Sequence, residues 1–261
     1  VYALTTIADS IIPSGHEIAR EQFAIAEKSA FAPAYASAAS VKLNESDNAY
    51  VFELSGDIKM VIDKHNGNLT EYSIGGTPLL SWAPQPSFWR APTDNDWGNA
   101  AHKRLNAWRY AGENRKLKSV KHTEDDGLHK ITAQYTLPEV NAAYTLTYKV
   151  YPDGKLGMTA AVDGRNLPEL MRFGTQFALD KSLENFSWYG RGPWENYSDR
   201  NTAAFVGNYS KKVADMFHPY IRPQETGYLT DVTRASLTDA KGYGVEVETL
   251  QPLNITALDV Q

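Results

Sequence analysis

Apolar residues hold every second position from Tyr50 to Leu54, Ile58 to Ile62 and Tyr144 to Val150, and through most of Leu128 to Leu137. A period of two puts every second side chain on one face of an extended strand, so the chain must bury these faces by stacking sheets. Turn chemistry punctuates the pattern at Asn66-Gly67, Gly75-Gly76, Asp125-Asp126-Gly127 and Pro152-Asp153-Gly154. Between such turns, Leu69 to Ile74, Lys118 to Glu124 and Lys155 to Val162 complete two hairpin series. Further strands are expected at Arg172 to Leu179, Phe186 to Tyr189, Ser236 to Asp239 and Gly244 to Thr249. Only Lys103 to Ala111 and Leu183 to Asn185 look helical. The fold class is therefore all-β, a large antiparallel β-sandwich with little helix.

A length of 261 residues with 42% hydrophobic content suffices for one large all-β domain or two ordinary ones. The net charge of -5, with lysines and arginines scattered among carboxylates, supplies no basic stripe and argues against nucleic acid. No apolar run reaches the ~20 residues that span a bilayer, which argues against a membrane span. The absence of cysteine excludes disulfides and thiolate chemistry and fits either side of a bacterial inner membrane. Val1 to Ser10 has no leader-like features and reads as a cut end. His16 to Ile25 reads as one strand with nothing nearby to complete a sheet, the last strand of a preceding domain spanning 1–25. Its edge is expected to fray or find a new partner. The Ala- and Ser-rich residues 26–40 read as a linker, and 41–261 as the main sandwich domain.

Two segments are dense in chemistry-bearing residues. The first runs from Phe88 to Gly98 and packs Trp89, Arg90, Asp94, Asn95, Asp96 and Trp97 into a loop bounded by Pro and Gly. Its ordinary reading is a polar network that fixes backbone, with Arg90 neutralising Asp94 or Asp96. A glycosidase pair at Asp94 and Asp96 is disfavoured. Retaining enzymes need carboxyls about 5–5.5 Å apart on opposite sides of the scissile bond, whereas i and i+2 of an extended segment point the same way. A hard cation at Asp94, Asn95 and Asp96 is a weaker alternative, because the other ligands of a calcium loop are missing.

The second segment, Trp188 to Arg200, carries Arg191, Trp194, Glu195, Asn196, Asp199 and Arg200. Gly190 and Gly192 open like a dinucleotide fingerprint, but Glu195 stands where the third glycine belongs, so no cofactor is expected there. The favoured reading is a rigid corner stapled by Arg191, Glu195, Asp199 and Arg200; the alternative is a saccharide or interdomain surface. The aromatics near Gly, Pro and Asn suit either turn anchoring or stacking on the C–H face of a sugar ring. The six histidines, at 16, 65, 102, 122, 129 and 218, show no zinc-like spacing, and no Gly-x-Ser-x-Gly elbow occurs.

The string FWRAPTDNDWG, Phe88 to Gly98, resembles the signature opening the last domain of the multidomain β-galactosidases of glycoside hydrolase family 2. The pattern recurs in WYGRGPWENYSDR (Trp188 to Arg200), MFHPYIRPQETG (Met216 to Gly227) and SLTDAKGYG (Ser236 to Gly244). Upstream, IPSGHEIAREQF (Ile12 to Phe23) resembles the closing strand of that family's immunoglobulin-like fourth domain. The resemblance implies a galactose mutarotase-like supersandwich, the fifth domain of a retaining bacterial enzyme that hydrolyses terminal β-galactosides. It implies catalytic glutamates, Mg²⁺ and Na⁺ in a (β/α)₈ barrel elsewhere, with the barrel and immunoglobulin-like domains as partners and a homo-oligomeric whole. It also implies that Gly98, Asn99, Ala100 and Ala101 form a mobile loop near the active-site mouth, hinged at Gly98.

The family's domain continues for about sixty further residues, within the size of an all-β domain, so Val260-Gln261 reads as a cut in mid-domain. A sugar-contacting tryptophan would lie in the missing part. Arg234 stands near where the family often carries an aromatic. Two rival readings remain: an independent carbohydrate-binding module using Trp97 and Trp194, and a mutarotase or epimerase using an acid and base pair such as Asp94 and Glu195.

Overall fold

A computed structural model describes residues 1–25 and 41–259; the expected linker at 26–40 and the end at Val260-Gln261 lie outside the described residues. The N-terminal piece has a partner after all. β1 (Tyr2–Leu4) pairs antiparallel with β2 (Glu17–Arg20), correcting the expectation of a strand with nothing to pair with. With three residues, β1 is too short to leave an alternation in the sequence. This exposed hairpin meets the rest of the chain through Gln22, whose side-chain amide donates to the Val206 carbonyl and accepts from the Val206 N–H, both at 2.8 Å. Arg20 also lies over the Phe205 ring, 4.9 Å from its centroid.

Beyond residue 41 come β3 (Lys42–Glu45), β4 (Ala49–Leu54), β5 (Ile58–Asp63), β6 (Leu69–Ile74) and β7 (Thr77–Pro78), an antiparallel meander of five strands. After β8 (Leu80–Ser87) lie two single-turn helices, α1 (Asp94–Gly98) and α2 (Ala101–Arg104), and a 3-10 turn at Asn106–Trp108. A second meander follows: β9 (Lys116–Asp125), β10 (Leu128–Leu137), β11 (Ala142–Val150) and β12 (Leu156–Val162). β13 (Gly174–Leu179) returns to pair with β8. The last sheet, in order β15-β14-β16-β17, comprises β14 (Asn185–Gly192), β15 (Phe205–Lys212), β16 (Tyr228–Thr238) and β17 (Gly244–Thr256). The antiparallel, all-β reading stands.

The two meanders stack face to face. From one side Tyr50, Phe52, Met60, Ile62 and Leu69 point inward, and from the other Ile131, Ala133, Tyr135, Leu137, Tyr144, Leu146, Tyr148 and Val150. All are buried, each large one contributing about 1.5–3 kcal/mol relative to exposure. Two polar tips inside this layer are paired: the Tyr148 hydroxyl accepts from Leu69 N–H at 3.2 Å, and the Tyr135 hydroxyl donates to the Asn66 carbonyl at 2.8 Å, whereas the buried Tyr144 hydroxyl meets no hydrogen-bond partner among the described residues. Burial pushes the Tyr144 phenol up to about 12. Gly67 shows why the turn needs glycine. Its φ is +71°, and a Cβ there would sit 2.3 Å from the Tyr135 hydroxyl oxygen and 2.7 Å from Ala133 Cβ.

Helix is scarcer than expected at Lys103 to Ala111, which holds the end of α2 and the 3-10 turn. Leu183 and Glu184 leave a turn closed by the Leu183 N–H to the Asp180 carbonyl and lead into β14, which Asn185 opens. The β8 strand was not legible, because Pro84 and Pro86 break the run of donors; among the described residues it survives paired only with β13.

The sheets bring together two histidines that sequence spacing kept apart. His122 Nε2 and His129 Nδ1 lie 3.0 Å from each other, packed against the Tyr50 and Phe52 rings respectively. Only one of the two facing nitrogens can carry a proton in that bond. Burial holds buried His129 below its ordinary value of 6.5, against the opposing pull of Glu124, whose Oε2 is 3.8 Å away. The unfolded chain therefore binds a proton near 6.5 that the folded chain refuses, and stability present above that pH is lost as pH falls through it. We expect the urea midpoint to fall between about pH 7.5 and pH 5.5, and His129→Gln to flatten that dependence. Parallel profiles for the two proteins would remove His129 as the cause.

Candidate functional site

The loop from Phe88 begins in the core. Phe88 is buried against Trp108 at 5.3 Å between ring centroids and meets Tyr144 edge-on at 5.9 Å. Trp89 packs partly buried on the same cluster. The chain then enters α1 through a capping box: Thr93 Oγ1 accepts from Asp96 N–H, and an Asp96 carboxylate oxygen accepts from Thr93 N–H at 2.8 Å. Arg90 grips the same carboxylate with two nitrogens, at 2.6 and 3.1 Å.

This corrects the extended reading of Asp94 to Asp96. In a helical turn the two carboxylates diverge: Asp96 is buried and saturated, while exposed Asp94 meets Arg222 at 3.1 Å. Asn95 is exposed, its carbonyl accepting from Asn99 N–H at 3.0 Å. Trp97 is 45% exposed, its ring centroid 4.0 Å from that of His102.

The next residues are held at defined points. Asn99 Oδ1 accepts from Ala101 N–H at 2.9 Å, and Ala101 is buried. Left-handed backbone falls on Ala100, with φ +57°, and not on Gly98, where an added Cβ would meet nothing within 4 Å. Such a conformation costs a non-glycine residue about 1–2 kcal/mol.

β14 delivers the second segment. The Trp188 indole N–H donates to the Arg191 carbonyl at 3.0 Å. Arg191 is paired with Asp231, and its guanidinium also donates to the carbonyls of Asn201 and Ala204 at 3.2 and 2.9 Å. Asp231 has φ +57° beside a register shift in β16, an irregularity that turns its side chain to Arg191. Glu195 accepts from Arg200 at 2.9 Å, from the Tyr220 hydroxyl, and from Gly227 N–H at 2.9 Å. Buried Asn196 accepts from the Thr230 hydroxyl at 2.6 Å and donates to the Trp194 carbonyl at 2.9 Å. Asp199 is exposed and joined to no described residue, so the expected staple is corrected: Asp231, not Asp199, neutralises Arg191. Trp194 is 57% exposed.

A third segment, not singled out for its charges, closes the network. Glu225, its side chain 10% exposed, pairs with Arg172 and lies 3.9 Å from Arg90 Nε. The Tyr197 hydroxyl donates to the Glu225 carbonyl, and Arg200 lies 3.8 Å over the Tyr197 ring. Burial pushes the Arg172 guanidinium down from its ordinary value. Thr226 ties the segment to itself, accepting from His218 N–H and donating to His218 O. Arg172, Tyr220, Arg222 and Glu225 are the residues sequence reasoning missed; each meets a partner at least 25 positions away, so no local pattern announced it.

Four carboxylates, Asp94, Asp96, Glu195 and Glu225, thus meet four guanidiniums, Arg222, Arg90, Arg200 and Arg172. A hollow of about 420 Å³ opens beside them, lined by Asp94, His218, Tyr220, Ile221, Arg222 and Gln224. On the tied segments stand Trp97, Trp194 and Phe217, the last 62% exposed. Among the described residues no three His, Asp or Glu side chains converge as metal ligands. No helix among them is long and apolar enough to cross a membrane.

Fold and loops together define a β-sandwich protein whose polar loops are locked by ion pairs. Residues 55–261 match the family model described as β-galactosidase small chain, and the chain belongs to that family. It is 33% identical over 247 residues to a β-galactosidase of Priestia megaterium, covering 94% of this chain and 24% of that protein. It is also 34% identical over 200 residues to that of Halalkalibacterium halodurans, covering 73% and 19%, and 29% identical over 245 residues to that of Streptococcus thermophilus, covering 91% and 23%. The chain thus spans about a quarter or less of these relatives and corresponds to one part of a larger β-galactosidase.

Proposed function

We propose that this chain is a non-catalytic C-terminal sandwich of a retaining β-galactosidase, shaping the mouth of the galactoside site and the assembly. The observation that carries this is the occupation of every network carboxylate by a guanidinium. A nucleophile and an acid must instead face a glycosidic bond from both sides with their oxygens available. In this reading the glutamates, Mg²⁺ and Na⁺ belong to a barrel in another part of the parent. Residues 98–101 form the part of the wall that moves, and Trp97, Trp194 and Phe217 are the exposed anchors that meet the rest of the homo-oligomeric enzyme.

Mixing the chain with the complementary part of the parent tests this. Hydrolysis of a chromogenic β-galactoside is expected only in the mixture, and Trp194→Ala is expected to weaken the association by about tenfold or more. Hydrolysis by the chain alone, lost in Asp94→Asn or Asp96→Asn, would defeat the reading.

The exposure of Trp97 and Trp194 also suits an independent saccharide-binding module. Calorimetry with galactose and lactose separates the two, since a module shows saturable heats that Trp194→Ala abolishes.

A further inference from the structure

The outer face of the last sheet carries two polar rows. Ser210 of β15 stands opposite Ser187 of β14, which stands opposite Ser236 of β16, which stands opposite Glu246 of β17. Two residues along each strand, Asn208, Tyr189, Arg234 and Glu248 form the second row. Cross-strand partners share a face, so these rows lie on the side opposite Phe186, Trp188, Ala235 and Leu237, which point into the second core cluster.

Ser187, Asn208, Ser210, Arg234, Ser236 and Glu246 line a hollow of about 450 Å³. Among the described residues, no hydrogen bond engages the side chains of Ser187, Ser210, Ser236 or Glu246, and Arg234 makes only a long 3.4 Å contact with Asn208 Oδ1. This is the reverse of the loop network, where each carboxylate already holds a guanidinium.

We infer that this face is a binding platform for a neutral oligosaccharide. Three hydroxyls both donate and accept, Asn208 does so through its amide, Arg234 supplies a planar fork and Glu246 accepts through two oxygens. That inventory complements vicinal hydroxyls. The row residues carry one positive and two negative groups, too little positive charge for nucleic acid or a sulfated glycan. Their one aromatic, Tyr189, is half-buried and already engaged, so they leave no exposed apolar anchor of the kind a protein interface centres on. A row crosses three interstrand gaps of ~4.8 Å, about 14 Å in all, so the platform takes a chain of rings in preference to one. The inference does not rest on the function proposed above.

Titration of the isotope-labelled full chain with galactose, lactose and a galacto-oligosaccharide, followed by amide NMR, tests it. Saturable shifts are expected on β14 to β17, tightest for the oligosaccharide. Arg234→Ala is expected to weaken binding by about tenfold or more, and Glu246→Gln by a smaller factor. Both side chains are exposed, and unchanged spectra away from the face establish that the variants fold. Absence of saturable shifts overturns the proposal, as do shifts confined to the Trp97 and Trp194 loops, affinity unaltered by Arg234→Ala, or binding of sulfated glycans alone.

Discussion

Glu225→Ala is expected to destabilise the chain by about 3 kcal/mol, because it strips Arg172 of its carboxylate and removes the second negative group near Arg90. The magnitude follows from burial: leaving a guanidinium desolvated and unpaired costs far more than losing a surface pair, which is worth about 0–1 kcal/mol. At about 2–4 °C per kcal/mol for a chain of this size, the melting temperature falls by roughly 6–12 °C. Glu225→Gln keeps the shape and one acceptor and is expected to lose less. Combining Glu225→Ala with Arg172→Ala should cost less than the sum of the two, since the orphaned charge goes with its partner. Thermal denaturation of the four proteins checks this; a loss under about 1 kcal/mol for Glu225→Ala would mean that solvent reaches the pair freely.

Trp108→Ala is expected to cost still more, about 3–5 kcal/mol, since its ring is fully buried and the 3-10 turn that carries it cannot collapse into the space left. The ring supports Phe88, so the cavity opens at the root of the loop that holds Arg90 and α1. Trp108→Phe is expected to be milder than the lost volume suggests, because the Trp108 indole N–H has no partner among the described residues and its removal relieves an unsatisfied donor. Urea midpoints compared at equal slope measure both, and equal losses for the two variants would contradict the account of the donor.

The stacked meanders were legible because one face of each is dry. Where Tyr50, Phe52, Ile131 and Tyr135 must all point one way, alternation leaves no other register. Legibility failed where the backbone departs from regular strand. β16 was read only at its end, since the irregularity at Asp231 disturbs the period; β17 was cut short at Thr249, its later residues being largely exposed and free to ignore alternation. At α1 the capping pair was present in the sequence as Thr93 and Asp96, yet a five-residue helix is too short to show a 3.6-residue period. In the loop network proximity alone offered Arg90 either Asp94 or Asp96; the structure gives it Asp96, while Asp94 goes to Arg222, 128 positions away, which only the closed fold brings near.

Gln22 presents to Val206 one donor and one acceptor, the complement that a peptide unit of a neighbouring strand would offer. A single side chain thereby counterfeits a rung of the ladder, mooring the N-terminal hairpin to the rim of β15 without merging the two sheets. Opening such a clasp would break the two Gln22 hydrogen bonds and the Arg20–Phe205 contact while leaving the hydrogen-bonded order of either sheet intact.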